Sequence, residues 1–135
     1  MPFALAHLVP AELRDVLLDC DWDRVALHAL ELPVEDAPVD ELRWQLDLPW
    51  WRDGERTFAI TPNQVRAGPE RFAAQWRRTL GADLAFPIQL AETRPARWTI
   101  LDGVHRLLKA DVLGHTHIRA MRLDAEALSR VIAPV

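Results

Sequence analysis

The chain has a single cysteine, Cys20, and no tyrosine among its 135 residues. One thiol cannot build a disulfide framework or a multi-cysteine zinc site, and it fits a reducing compartment. Cys20 reads as a small buried hydrophobe in a first helix over Ala11–Cys20. No apolar run approaches the length of a membrane span. The start, Met1-Pro2-Phe3-Ala4-Leu5-Ala6-His7, lacks the basic n-region of a secretory signal. A soluble cytoplasmic protein with no membrane partner is the expectation. Basic charge is not in excess either, because 16 Lys and Arg against 20 Asp and Glu leave a net charge of −4. Non-specific nucleic-acid binding rests on phosphate neutralisation by Lys and Arg, so nucleic acid is not an expected partner. A local basic pocket is still allowed.

What is present fits one domain over 1–135 with a core of useful size, since half of the residues are hydrophobic. Pro10 suits the start of the first helix, and Leu13, Val16 and Leu17 form its face. Val25 to Leu32 reads as a strand, and Leu32 to Asp40 as an acidic, Pro-containing loop. Leu42, Trp44, Leu46 and Leu48 alternate, which favours a second short strand. Asp53-Gly54 then predicts a hairpin turn leading into Thr57-Phe58-Ala59-Ile60. Thr61-Pro62 and Gly68-Pro69 each begin a helix with Pro at its first position. Of the six tryptophans, Trp44, Trp76 and Trp98 sit on apolar patterns and read as core. Trp50 and Trp51 are adjacent, so a strand sends them to opposite faces. One of them is then available to stack on a base or partner, against the simpler reading of hairpin packing.

The most informative stretch runs from Trp98 to Gly114. Trp98-Thr99-Ile100-Leu101 has the β-branched and aromatic bias of a strand. Asp102-Gly103 turns the chain, with Asp102 placed to cap a helix. Val104, Leu107, Leu108 and Val112 form one helical stripe, and Gly114 supplies a left-handed stop. Gly103, Val104, His105 and Arg106 therefore share the first turn with unpaired amides and the positive end of the helix dipole. Lys109 lies one turn further on the side of His105. Such a turn suits a phosphate or carboxylate. The competing reading is a capped helix on a sheet, with three basic residues in water.

Residues 98–123 resemble the core of the ParB/sulfiredoxin-like superfamily, whose members carry a strand, a Gly-x-x-Arg or Gly-x-His-Arg turn, a helix ending in Gly and a final strand. Upstream, Ala59-Ile60-Thr61-Pro62-Asn63-Gln64-Val65-Arg66 is similar to the segment that opens ParB-like domains. The helix at 69–80 with Gly81 and Phe86-Pro87-Ile88-Gln89-Leu90 continues the likeness. Residues 57–123 are covered; 1–56 read as an accessory layer carrying the Trp-rich hairpin. The departures are informative. Sulfiredoxins have a nucleophilic Cys where Val104 stands, and a valine cannot attack sulfur. Partition-type ParB proteins add an Asn-x-x-Arg motif and a helix-turn-helix domain, for which the stretch between Arg122 and Val135 leaves no room. The Asp-Gly-His-His-Arg turn of the superfamily's free serine kinases is closer to Asp102-Gly103-Val104-His105-Arg106.

The resemblance implies an α+β or α/β fold, a small mixed sheet with packed helices and a ParB/sulfiredoxin-like core in the second half. It further implies a nucleotide-phosphate site, with a kinase-like phosphotransferase acting on a small metabolite as its enzymatic form. The amides of Gly103 and Val104 would hold phosphate, and His105 and Arg106 would neutralise it. Asp102 would cap the helix or act as base toward an acceptor hydroxyl, two roles that compete because a carboxylate tied to amides is a weak base. ATP, ADP and CTP all fit, and Mg²⁺ would accompany phosphoryl transfer. In the helix before Gly81, Phe72, Trp76 and Leu80 supply the buried stripe, with Arg71, Gln75 and Arg78 on another face. If its end adjoins the Asp102-Gly103 turn, Arg78 can clamp phosphate and Asp83 can hold Mg²⁺; solvated arginines are the competing reading. His115 and His117, spaced i, i+2, could bind a metal only with a third ligand. The rival function is a non-enzymatic protein- or nucleic-acid-binding module that keeps the fold without its chemistry.

Overall fold

A computed structural model describes residues 8–14, 16 and 22–132. The order of elements is α1 (Ala11–Arg14), α2 (Arg24–His28), β1 (Glu35–Pro38), α3 (Val39–Leu42) running into a 3₁₀ turn (Arg43–Asp47), β2 (Trp51–Asp53), β3 (Arg56–Ile60), α4 (Pro62–Ala67), α5 (Ala73–Gly81), β4 (Ile88–Arg94), β5 (Arg97–Asp102), α6 (Val104–Val112), β6 (His117–Leu123) and α7 (Ala125–Val131). A four-stranded sheet has the order β1-β6-β4-β5, and β2 and β3 form a separate hairpin. β4 is parallel to β6 and antiparallel to β5, while β1 is antiparallel to β6. The fold is a small α+β arrangement around a mixed sheet, as the sequence predicts. Among the described residues, no helix is long and apolar enough to cross a membrane.

The alternation of strand side chains divides the core in two. On one face Ile88, Leu90, Ile100 and Ala120 pack with Leu107 and Leu108 of α6. On the other, Leu123 meets Leu27 of α2 and Ala127 and Val131 of α7. Thus α6 carries the chain over β4, from the end of β5 to β6, and α2 lies across the opposite face. An ion cluster fixes α6 from outside: Asp111 accepts from Arg43 at 3.0 Å and also pairs with Arg66. Burial alone would raise the Asp111 carboxyl, but the bonds from Arg66 and Arg43 hold it below the usual range.

Several local expectations are met for the reasons that produced them. Gly54 turns the hairpin at φ +60°, and Gly114 follows α6 at φ +77°. Thr61 and Gln64 form a reciprocal capping box around Pro62 at the start of α4. Others are corrected. Val25–Leu32 is not a strand, because Asp23 accepts from the amides of Val25 and Ala26 and starts α2 instead. Leu42 and Leu46 are buried as an i, i+4 pair, so the alternation through Trp44 and Leu48 does not make a strand. Gly68-Pro69 makes a turn, and α5 begins only at Ala73. Its buried row is Phe72, Trp76 and Thr79, which leaves Leu80 52% exposed one step too far around the helix. Val112 is exposed in the same way. Helix α7, capped by Asp124, has no counterpart in the sequence reading. The first helix is described over Ala11–Arg14; its continuation to Cys20, and the reading of Cys20, lie outside the described residues.

Candidate functional site

Strand β5 ends at Asp102, and Gly103, not Asp102, is the N-cap of α6. Gly103 has φ +119°, and a Cβ there would stand 2.8 Å from Cβ of Ile88, so this position needs glycine twice over. No side chain caps the helix. The expectation that Asp102 caps it is therefore wrong, for a geometric reason: Asp102 still belongs to the strand, and its carboxylate points elsewhere. One oxygen lies 2.7 Å from Nε2 of His28 and 3.4 Å from the Arg106 guanidinium. The first amides of α6 are thus left without a side-chain acceptor, at the positive end of the dipole.

The basic residues expected to surround a ligand have divided roles. Arg106 donates to the carbonyls of Phe86, at 3.1 Å, and Pro87, at 2.5 Å. It ties the loop before β4 to the start of α6 and is not a free cation. Lys109 donates to the carbonyls of Leu80 and Ala82, at 2.9 and 2.6 Å. Its ammonium closes the C-terminal end of α5 and does not line the cavity, which corrects its reading as a ligand contact. His105 stacks on Trp51, with ring centroids 4.3 Å apart, and its Nε2 lies 2.8 Å from Oε1 of Gln75. Burial, and then the charge of Arg78, push its pKa down to about 4 against the opposing pull of Asp102. At neutral pH this imidazole is uncharged. It cannot neutralise a phosphate, and its helix amide is what remains available.

A cavity of about 890 Å³ opens at this turn, between α2 and the first turn of α6. Gly103, Val104, His105, Arg106 and Asp102 line it, and Arg78 and Asp83 do so from the far end of α5, as their sequence reading required. Among the described residues Arg78 enters no ion pair, so it is the free guanidinium that Arg106 is not. Asp83 spends one carboxylate oxygen on the Ala85 amide at 2.9 Å. No group of three or more His, Cys, Asp and Glu is gathered around a metal position among the described residues, at Asp83 or at the exposed His115 and His117.

Sequence reasoning missed Arg24, His28 and Gln89 here. Arg24 and His28 reach the cavity from α2, one turn apart on one helix face. The i, i+4 spacing is visible in the sequence, but the reading of Val25–Leu32 as a strand hides it. Gln89 lies under the cavity, opposite Asp102 on β5 and Met121 on β6. Between Ile88 and Leu90 it follows ordinary strand alternation, so only its burial marks it. Trp51 is buried against His105, and Trp50 is half-buried with its Nε1 donating to the Gln45 carbonyl at 2.6 Å. Hairpin packing, not an exposed stacking platform, is what this pair provides. Comparison with protein-family models, with curated proteins and with solved structures finds no match.

Proposed function

We propose that this cavity binds the phosphate of a nucleotide. The observation that carries the reading is the start of α6, a nine-residue helix that opens on the cavity with no side-chain cap. Aligned amides there select an anion, and Arg78 and Arg24 line the same cavity with positive charge. The volume falls in the range of roughly 300–1,000 Å³ that small-ligand sites occupy. Phe86, an aromatic ring 64% exposed on the cavity lining, offers a flat apolar surface to a base. The resemblance of the Asp102–Arg106 turn to that of superfamily kinases supports the same assignment.

The enzymatic form of this reading is a phosphotransferase acting on a small metabolite. Asp102, bonded to His28 and Arg106, then orients His28 as the group that takes a proton from an acceptor hydroxyl, and Mg²⁺ enters with the nucleotide. A thermal-shift panel of ATP, ADP, CTP and GTP, with and without Mg²⁺, tests binding. We expect a rise in Tm with at least one nucleotide and none with the corresponding nucleoside. No shift with any nucleotide at millimolar concentration overturns the reading. Nucleotide consumption with pooled hydroxyl-bearing metabolites separates the transferase from a binding module, which would show none.

A further inference from the structure

Two glutamines are buried on the sheet, and the fold treats them differently. Gln45 is fully buried, and its carboxamide is satisfied at both ends: Oε1 accepts from the Ile100 amide at 2.8 Å, and Nε2 donates to the Trp98 carbonyl at 3.2 Å. Gln89 is 6% exposed, yet its Oε1 has no hydrogen-bond partner, the one buried side-chain polar atom so placed among the described residues. An orphaned buried acceptor costs more than an apolar side chain of the same shape. By alternation Gln89 shares its face with its register partner Met121, which is apolar and buried, so an apolar residue would suit the position as well.

The surroundings say what would satisfy it. Gln89 lines the cavity beside Asp102, its partner in the β4–β5 register, and Asp102 holds Nε2 of His28 at 2.7 Å. With the proton on Nε2, the other ring nitrogen of His28 is an acceptor. The unpaired Gln89 carboxamide and the His28 imidazole therefore both border the cavity on which α6 opens. An ammonium group is disfavoured there, because Arg24, Arg78 and Arg106 line the same cavity and Asp102 is already engaged. The complementary group is an uncharged hydroxyl, which can donate to one of these groups and accept from the other.

We propose that Gln89, with His28 held by Asp102, reads a free hydroxyl on the phosphate ester bound at α6. This inference rests on the phosphate reading above and adds the class of ligand: a hydroxylated phosphate ester, whether a nucleotide with its ribose hydroxyls or a small phosphorylated polyol.

Calorimetric titration of the intact chain with two matched pairs tests it: ADP against 2′,3′-dideoxy-ADP, and glycerol 3-phosphate against n-propyl phosphate. We expect at least a tenfold preference for the hydroxylated member of one pair, and which pair shows it identifies the source. In Gln89→Met, which keeps the length and removes the carboxamide, that preference should fall below threefold while the dehydroxylated member binds as before. The Tm of the ligand-free variant should stay level or rise, which a structural glutamine would not allow. His28→Ala, on an exposed helix face, should reduce the preference with only the small loss of Tm that breaking its bond to Asp102 entails. Equal affinities within both pairs, or a preference that survives Gln89→Met, overturn the inference and leave phosphate binding standing. Absence of binding by all four compounds overturns the inference, and overturns the phosphate reading as well when the nucleotide panel also gives no shift.

Discussion

His105 and Trp51 stack face to face, with ring planes inclined by only 12°. The contact joins the β2–β3 hairpin to the first turn of α6, so a hairpin residue fixes the orientation of a residue in the candidate site. Trp51 is 8% exposed, and removing its ring both opens a cavity and frees the imidazole. We expect Trp51→Ala to cost about 3–5 kcal/mol and Trp51→Phe clearly less. In Trp51→Phe, NMR titration should find the His105 pKa moved up toward its ordinary value. An unmoved pKa would show that the stack contributes nothing to its desolvation.

The same burial makes folding pH-dependent. The His105 pKa is lowered to about 4 in the folded chain, first by burial and then by Arg78, from its ordinary value of 6.5. Between those values the unfolded chain binds more protons, so stability rises with pH across that window. The contribution is complete above the higher value and is lost as pH falls to about 4. After allowance for partial solvent exposure it is on the order of 2 kcal/mol. Urea unfolding from pH 7 to pH 4 should therefore show an acid decline that flattens in His105→Phe. An identical decline in both proteins would assign it to other groups.

The two arginines expected to hold phosphate should separate cleanly. Arg106 bonds the Phe86 and Pro87 carbonyls, so Arg106→Ala leaves acceptors unsatisfied and should destabilise by about 1–3 kcal/mol. Arg78 is exposed on the cavity lining, and Arg78→Ala should change stability by no more than about 0.5 kcal/mol. Its effect should fall on nucleotide affinity, by about 1.5–3 kcal/mol. Paired melting and calorimetry would contradict this division by showing Arg78→Ala unstable or fully competent in binding.

How far the sequence could be read follows from where each signal comes from. The β5–α6–β6 run was legible because its turn, stripe and stop are local: Gly103, Leu107, Leu108 and Gly114 each act within one or two turns of chain. The position of the start of α6 was legible for the same reason. The partners of its side chains were not, since Arg106 is satisfied by carbonyls 19 and 20 residues away and His28 meets Asp102 across 74. Alternation misled at Leu42–Leu48, where burial of an i, i+4 pair outweighs a pattern of period two. Gln89 carried a signal that only burial could interpret.

Gly103 should tolerate alanine poorly. The new Cβ would meet Ile88 at a backbone angle that L residues rarely adopt. We expect Gly103→Ala to cost about 3 kcal/mol or more, summing strain and overpacking. Gly114→Ala, with φ +77° but open space around it, should cost only about 1 kcal/mol. Equal losses in chemical unfolding would mean that the Ile88 contact relaxes freely.

Asp102 offers the sharpest contrast between what its sequence position suggests and what its carboxylate touches. A helix cap tolerates asparagine almost as well as aspartate, so a capping Asp102 would give a stable Asp102→Asn and a destabilised Asp102→Ala. In the structure the residue precedes the cap, and its charge faces Arg106 and His28. Asparagine keeps the shape and removes the charge. Both substitutions should therefore lower stability by a similar amount, on the order of 1 kcal/mol for a partly exposed ion pair with charge-assisted hydrogen bonds. Arg106 supplies the cross-check. In an Arg106→Ala background the cost of Asp102→Asn should shrink, because the main charge partner is gone. A full-sized Ala effect with a silent Asn substitution would return Asp102 to the role of a cap.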